Sequence, residues 1–241
     1  MTMTQTRNDL EPAQTSVATA LTRVVIVYVA LLAALWGPAW DLQWWQAWVY
    51  SLVFLAAGIG GHVWAERRHP GLLAERQNLA KLQDAKPWDR ILAPLTAISI
   101  SLPLFVVAGL DHRHGWTPPT PAWLNIVGLL VVTIGYTLST WAIGENRYFS
   151  SVVRIQTDRG HVVCDTGPYR IVRHPGYAGM LLALPGIALA LGSFWTLIPA
   201  AAAIVVVVIR TALEDQTLQH ELPGYVEYVQ TVHFRLVPGV Y

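Results

Sequence analysis

Charge is scarce in this sequence. Asp, Glu, Lys and Arg make up 13% of its 241 residues, about half of the ~25% usual for soluble domains. Disorder requires low hydrophobicity and high charge; here 54% of residues are hydrophobic, which excludes it. Cys164 is the single cysteine, so a disulfide framework and a thiolate metal cluster are excluded too. Lysine occurs only at Lys81 and Lys86, and the formal net charge is +1. With no basic run, no nucleic-acid partner is expected. Residues 1–22 are polar and lack the apolar core and small-residue cleavage site of a secretory signal. What the chain has in abundance is apolar length, with a mean hydropathy of +0.40. An integral membrane protein is the class that remains.

A helix crosses the ~30 Å hydrocarbon core with about 17–25 mostly apolar residues. Segments 24–40, 46–65, 91–110 and 122–143 meet that length. A further apolar stretch, 177–209, is interrupted at Gly192-Ser193 and carries Pro185 and Pro199 in its two halves. It reads as a helical hairpin with short arms. With the N-terminus placed inside, fifteen of the sixteen Lys and Arg residues fall on one side and Arg113 alone on the other, as cytoplasmic enrichment of basic residues requires. Both termini are then expected in the cytoplasm. Trp36, Trp40, Trp44, Trp45 and Trp48 crowd the first outer turn and read as an aromatic belt at headgroup level. The loop 66–90 carries mixed charges and reads as an amphipathic segment lying on lipid. The expected fold is an all-α integral membrane protein with about five to six transmembrane helices, including the C-terminal hairpin and a small cytoplasmic cofactor-binding region. A disordered tail (1–22), three N-terminal spans (23–121) and a catalytic core (122–241) are the expected divisions.

Polar residues concentrate on the inner side of the second half. Residues 151–163 read as a short β-hairpin around the turn at Thr157–Gly160. Arg173-His174-Pro175 opens the apolar hairpin, and Pro175 suits the first turn of a helix. The far end of the hairpin carries Arg210, Glu214 and Asp215. Arg210 and Glu214, four apart, share one helix face, and Glu221 returns to that face. The two ends of a hairpin meet on one side. Arg173, His174 and Tyr177 are therefore expected opposite Arg210, Glu214 and Asp215, in a pocket suited to a zwitterionic, ring-bearing ligand.

Arg173-His174-Pro175-Gly176-Tyr177-Ala178-Gly179 resembles the RHPxYxG motif of the isoprenylcysteine carboxyl methyltransferase and phospholipid methyltransferase superfamily. Arg210-x-x-x-Glu214-Asp215, with Tyr225, Tyr228 and Pro238-Gly239 beyond it, is similar to that superfamily's C-terminal pattern. One departure is Asp215, where the pattern has a second Glu. The resemblance covers about residues 144–241 and implies S-adenosylmethionine (SAM) as methyl donor and a lipidic acceptor at the cytoplasmic face. It implies catalytic roles for Arg173, Tyr177 and Arg210. It implies a cofactor site of His174, Pro175, Tyr177, Gly179, Glu214 and Asp215. The carboxylates suit the SAM ammonium, and the cationic wall suits its carboxylate.

The acceptor is open to more than one reading. A carboxylate acceptor needs no general base, whereas an amine needs one; His174, His161 and Glu145 are nearby candidates. The carboxylate of an isoprenylcysteine-like substrate is favoured, with a phospholipid amine as the alternative. Glu145, Asn146 and Arg147 either line the acceptor site or anchor the interface. An NADPH-dependent reductase similar to sterol reductases is disfavoured, because Glu214 repels phosphate. A non-enzymatic membrane protein remains a third class. His112 and His114 lack a ligand set, so no metal is expected.

Overall fold

The structure, a computed structural model, describes residues 17–77 and 81–240. Among them it has ten α-helices and no strand. The helices are α1 (Val17–Ala39), α2 (Trp45–Arg68), α3 (Leu72–Gln77), α4 (Lys81–Asp84), α5 (Asp89–Ser99), α6 (Leu102–His114), α7 (Ala122–Glu145), α8 (Pro175–Leu191), α9 (Leu197–Glu221) and α10 (Tyr225–Thr231). Five stretches are long and apolar enough to cross a membrane: 17–39, 45–68, 89–114, 122–145 and 194–221. The chain is an all-α integral membrane protein. Its outward faces are greasy: Ile26, Leu52, Ile91 and Ile198 are each more than 60% exposed, as suits contact with lipid rather than water. Residues 17–22, expected in the disordered tail, are helical, because α1 begins at Val17. The rest of that tail lies outside the described residues.

The third span is not one helix. Pro103 has no N–H to offer the carbonyl four residues back, and the chain breaks at Ile100-Ser101 between α5 and α6. Both break residues line an apolar cavity enclosed by α1, α2, α5, α7 and α8. The loop 66–90 also departs from its surface reading. Leu72 and Leu73 are buried, and Leu73 packs with Ala20 and Val24 of α1. The Glu66 carboxylate accepts the Gly71 and Leu73 amides at 2.7 and 2.8 Å and so fixes the start of α3. Gln77 donates to the Ala20 carbonyl at 2.9 Å. Burial of two leucines and these three hydrogen bonds outweigh the pull of mixed charge toward the interface.

The expected hairpin is α8 and α9. Its turn uses Gly192 in the left-handed region, φ 68°, where a side chain would be strained. The α8 arm has 17 residues, about 26 Å at 1.5 Å per residue, so it is short as expected. The α9 arm has 25 residues and, with the turn before it, is long and apolar enough to cross a membrane, which corrects the expectation of two short arms. Of the helix pairs, α7 and α8 pack most extensively. A Cβ on Gly179 would meet the Gly135 carbonyl at 2.4 Å, and one on Gly135 would meet the Gly179 carbonyl at 2.6 Å. Both glycines are required by this crossing.

Residues 151–163 form no β-hairpin. Their backbone groups find partners elsewhere. Val153 donates to Asp89 Oδ2 at 2.6 Å and accepts from the Lys86 amide at 3.0 Å. The turn itself closes locally, with the Arg159 and His161 amides on the Gln156 carbonyl at 2.9 and 3.2 Å and the Gly160 amide on the Thr157 carbonyl at 3.2 Å, and no ladder extends from it.

Candidate active site

At the base of the hairpin, the N-terminus of α8 meets the last turns of α9, enclosed by segment 146–164, by α10 and by the chain beyond it. Asp215 is the hub. It is fully buried. Its Oδ1 accepts from Arg173 Nε (2.8 Å), the Tyr225 hydroxyl (3.0 Å) and His174 Nε2 (3.2 Å). Its Oδ2 accepts from Gln219 Nε2 (2.8 Å), Arg235 Nε (2.9 Å) and Arg173 Nη2 (3.0 Å). Two carboxylate oxygens offer about four lone-pair sites, so this carboxylate is saturated. Arg173 is equally committed: its Nη1 donates to the Val232 and His233 carbonyls at 2.8 and 2.7 Å. Burial works against the Arg173 charge, and the bonds to Asp215 more than offset it, which holds its pKa above the ordinary value. Burial, reinforced by the Asp215 charge, likewise pushes the Tyr225 hydroxyl well up. The backbone repeats the clasp: the Arg173 and His174 amides donate to the Phe234 and Arg235 carbonyls, each at 2.9 Å.

The expected cationic and anionic walls therefore neutralise each other through Arg173 and Asp215. Two other charged groups on α9 face the pocket. Glu214 Oε2 accepts the Tyr177 hydroxyl at 2.8 Å, while Oε1 has no partner among the described residues. Arg210 does not pair with Glu214, its neighbour on the helix face. Its Nε and Nη2 grip Asp89 at 2.7 and 3.1 Å, and Nη2 also reaches the Ser151 carbonyl at 2.9 Å. Its Nη1 is left without a partner among the described residues. The guanidinium lies 5.7 Å from the Tyr177 ring centroid. Glu221 turns instead to Lys86, at 2.5 and 2.7 Å.

Aromatic rings line the same pocket: Tyr148, Phe149, Tyr169, Tyr177, Tyr225 and Tyr228. His161 lies against Tyr148, ring centroids 4.6 Å apart, and its Nδ1 accepts the Gln156 amide at 3.3 Å. Burial, with the charges of Arg154 and Arg159, pulls its pKa down to about 4. Arg154 holds Glu75 of α3 at 2.5 Å and Asp158 at 3.0 Å.

Of the residues singled out in the sequence, Arg173, His174, Tyr177, Arg210, Glu214 and Asn146 line this pocket. Pro175, Gly179, Asp215, Glu145 and Arg147 do not. Pro175 starts α8, and Gly179 serves the crossing with α7. Asp215 is enclosed by its donors. Glu145 is a strut, bonded to Arg68 at 3.2 Å and to the Thr166 hydroxyl at 2.6 Å. Arg147 is exposed and covers the outer face of Tyr148, 5.1 Å from its centroid. Sequence reading missed Asp89, the counter-ion of Arg210. A carboxylate at the mouth of a span needs a partner, and that signal was available. His112 and His114 join no group of metal-ligating side chains among the described residues; His112 bonds Asp41 at 2.8 Å.

Residues 123–222 match the phospholipid methyltransferase family. Over 61 residues the chain is 38% identical to a probable protein-S-isoprenylcysteine O-methyltransferase of Oryza sativa subsp. indica, covering 25% of this chain and 32% of the relative. It is 33% identical over 61 residues to protein-S-isoprenylcysteine O-methyltransferase B of Arabidopsis thaliana, covering 25% and 31%. The matched segment thus spans about a third of these relatives' length.

Proposed function

We propose that this chain, whose residues 123–222 match the phospholipid methyltransferase family, is a membrane-embedded methyltransferase of the isoprenylcysteine and phospholipid methyltransferase superfamily. It moves a methyl group from SAM to a lipidic acceptor, and the carboxylate of an isoprenylcysteine-like molecule is favoured over a phospholipid amine. The observation that carries this reading is Glu214: a half-buried carboxylate in an aromatic pocket, one oxygen fixed by Tyr177 and the other open. That geometry suits an ammonium beside a ring and opposes a phosphate, which sets SAM above a nicotinamide dinucleotide.

SAM, when bound, supplies a methyl group already activated on a sulfonium. The chain has to bind, orient and exclude water, and positioning of this kind is worth about 7–11 kcal/mol. Glu214 holds the ammonium end. Arg210, aimed by Asp89, offers Nη1 to an anion. The tyrosines supply apolar faces for a nucleobase. The three candidate bases are poorly suited to deprotonating an amine. His174 is bonded to Asp215 and close to the Tyr225 hydroxyl, 3.4 Å away. Glu145 is held by Arg68 and Thr166. His161 has lost basicity. A carboxylate acceptor needs none of them.

The test is calorimetry of the purified full chain in lipid nanodiscs with SAM and, separately, NADPH. SAM binding without NADPH binding is expected; the reverse would favour a reductase, and neither would favour a non-enzymatic protein. Orientation is tested by reporters fused after residues 90 and 170, expected in the cytoplasm, and at Thr117, expected outside. An external residue 170 would remove the site from the face where SAM is made.

A further inference from the structure

Behind the aromatic pocket lies the second cavity, about 390 Å³ and mostly apolar. Tyr28, Phe54, Tyr136, Met180 and Leu184 line it, and so does one charged side chain, Arg76. This guanidinium is unusual in the molecule. Arg173, Arg210 and Arg154 each grip a carboxylate. Arg76 donates no side-chain hydrogen bond among the described residues, and its Nη1 is sealed from solvent without a partner. A half-buried cation with an enclosed donor and no counter-ion among the described residues is costly, and desolvation accordingly pulls its pKa down.

Its position is fixed rather than accidental. The helix α3 that carries it is clasped at its start by Glu66 and tied to α1 through Gln77. The Arg76 carbonyl accepts the Ser151 hydroxyl at 2.9 Å. The guanidinium stacks 4.9 Å from the Phe149 centroid, and Phe149 lines the aromatic pocket. The Ser139 hydroxyl, from the cavity wall, bonds the carbonyl of Gly176, from the pocket wall, at 2.9 Å. Arg76 thus stands where the apolar cavity and the aromatic pocket adjoin.

We infer that Arg76 is the specificity-determining residue for the acceptor: it binds the carboxylate head of a molecule whose apolar tail fills the cavity, and so selects acidic lipids over amines. This rests on the methyltransferase reading only for the fate of the bound anion. One carboxylate oxygen, held near Phe149, attacks the methyl carbon; the methyl–sulfur bond breaks and its electron pair stays on sulfur. The sulfonium becomes a neutral thioether and the carboxylate a neutral ester. No proton moves. The ester has lost the charge that Arg76 held, so product and substrate differ in affinity at the same residue.

The test is equilibrium binding to the full chain in nanodiscs without SAM. The probes are N-acetyl-S-farnesylcysteine, its methyl ester, farnesylamine and phosphatidate. The wild type should bind the acid at least tenfold more tightly than the ester or the amine. Arg76→Gln should weaken the acid about tenfold to a hundredfold, the worth of a charge-assisted hydrogen bond, and leave ester and SAM binding unchanged. Arg76→Lys should recover part of the loss, since the charge persists without the planar fork. Equal binding of the acid by wild type and Arg76→Gln overturns the inference, as does phosphatidate binding tighter than the acid, which would make this a phospholipid-head site. If SAM fails to bind the wild type while acid binding still depends on Arg76, the anion site stands and the methyltransferase reading falls.

Discussion

The two ends of the α8–α9 hairpin are each tied by a buried aspartate, with different donors. At the tip, Asp111 accepts the Thr117 amide and hydroxyl at 2.7 and 2.6 Å and the Ser193 hydroxyl at 2.5 Å. All three donors are neutral. Asn125 completes the clasp, donating to Thr120 and to the Leu189 carbonyl, each at 2.9 Å. At the base, Asp215 gathers two arginines, a histidine, a tyrosine and a glutamine. The tip closes a turn and leaves nothing over. The base closes on itself too, but the next residue, Glu214, keeps an open oxygen over a pocket. Adjacent residues on one helix thus differ: Asp215 builds the frame, and Glu214 keeps the oxygen that the proposed function gives to a ligand.

The sharpest way to break that comparison is Asp215→Asn. Removing one partner from a buried ion pair costs about 3–5 kcal/mol, because the other charge is left uncompensated. Here Arg173 is left behind, and Arg235 is partly so. The melting temperature measured by thermal shift in detergent should fall sharply, and SAM binding should be lost with it. Retention of normal stability would mean the arginines are solvated and the hub is not buried.

Glu214→Gln should do the opposite: little change in melting temperature, but SAM affinity reduced about tenfold to a hundredfold, for a charge-assisted bond of about 1.5–3 kcal/mol. Calorimetry on the variant reads it directly. Unchanged affinity would return Glu214 to a structural partner of Tyr177. Asp111→Asn is smaller still. The Asn carbonyl can keep the Thr117 amide, while the NH2 that replaces Oδ2 obliges the Thr117 and Ser193 hydroxyls to turn and accept from it, so about 1 kcal/mol of stability is expected to go. Ligand binding at the base should be unaffected. A loss of SAM binding in Asp111→Asn would show that the two ends are coupled through α9.

Much of this was legible in the sequence, and the parts that were not share a cause. The spans, the Gly192 turn and the meeting of Arg173 with Asp215 follow from apolar length, a break and hairpin geometry. The four-residue spacing of Arg210 and Glu214 correctly put them on one face but suggested a pairing that long-range partners override. Asp89 lies 121 positions from Arg210, beyond the reach of any local pattern. The 151–163 segment carries strand-like residues, yet its backbone groups bond to the Asp89 carboxylate, the Lys86 amide and the Tyr148 hydroxyl. Mixed charge in 66–90 suggested a surface layer, while the buried Leu72 and Leu73 draw α3, and Arg76 with it, into the core.

The smallest effect near neutral pH concerns the histidines at the two ends of the hairpin, which face opposite charge. At the tip His112 bonds the Asp41 carboxylate, and that bond holds Asp41 below its ordinary pKa. At the base His161 is half-buried beside Arg154 and Arg159, and its pKa is pulled down from 6.5 to about 4. The folded chain therefore binds fewer protons at this site than the unfolded chain between those two values. Stability rises with pH wherever the unfolded state holds more protons. The His161 contribution is fully present above pH 6.5 and is lost as pH falls toward 4. Between pH 7 and pH 6 the loss should be somewhat under ~1 kcal/mol, and it should steepen below pH 6. Other carboxylates and histidines titrate in the same range, so the quantity to measure is the difference between wild type and His161→Gln. Thermal shift from pH 7.5 to 5 should show the wild type losing stability faster than the variant, because glutamine has no proton to gain. Parallel curves would mean that His161 is solvated and its neighbours' charge screened, leaving the aromatic pocket wetter than its lining implies.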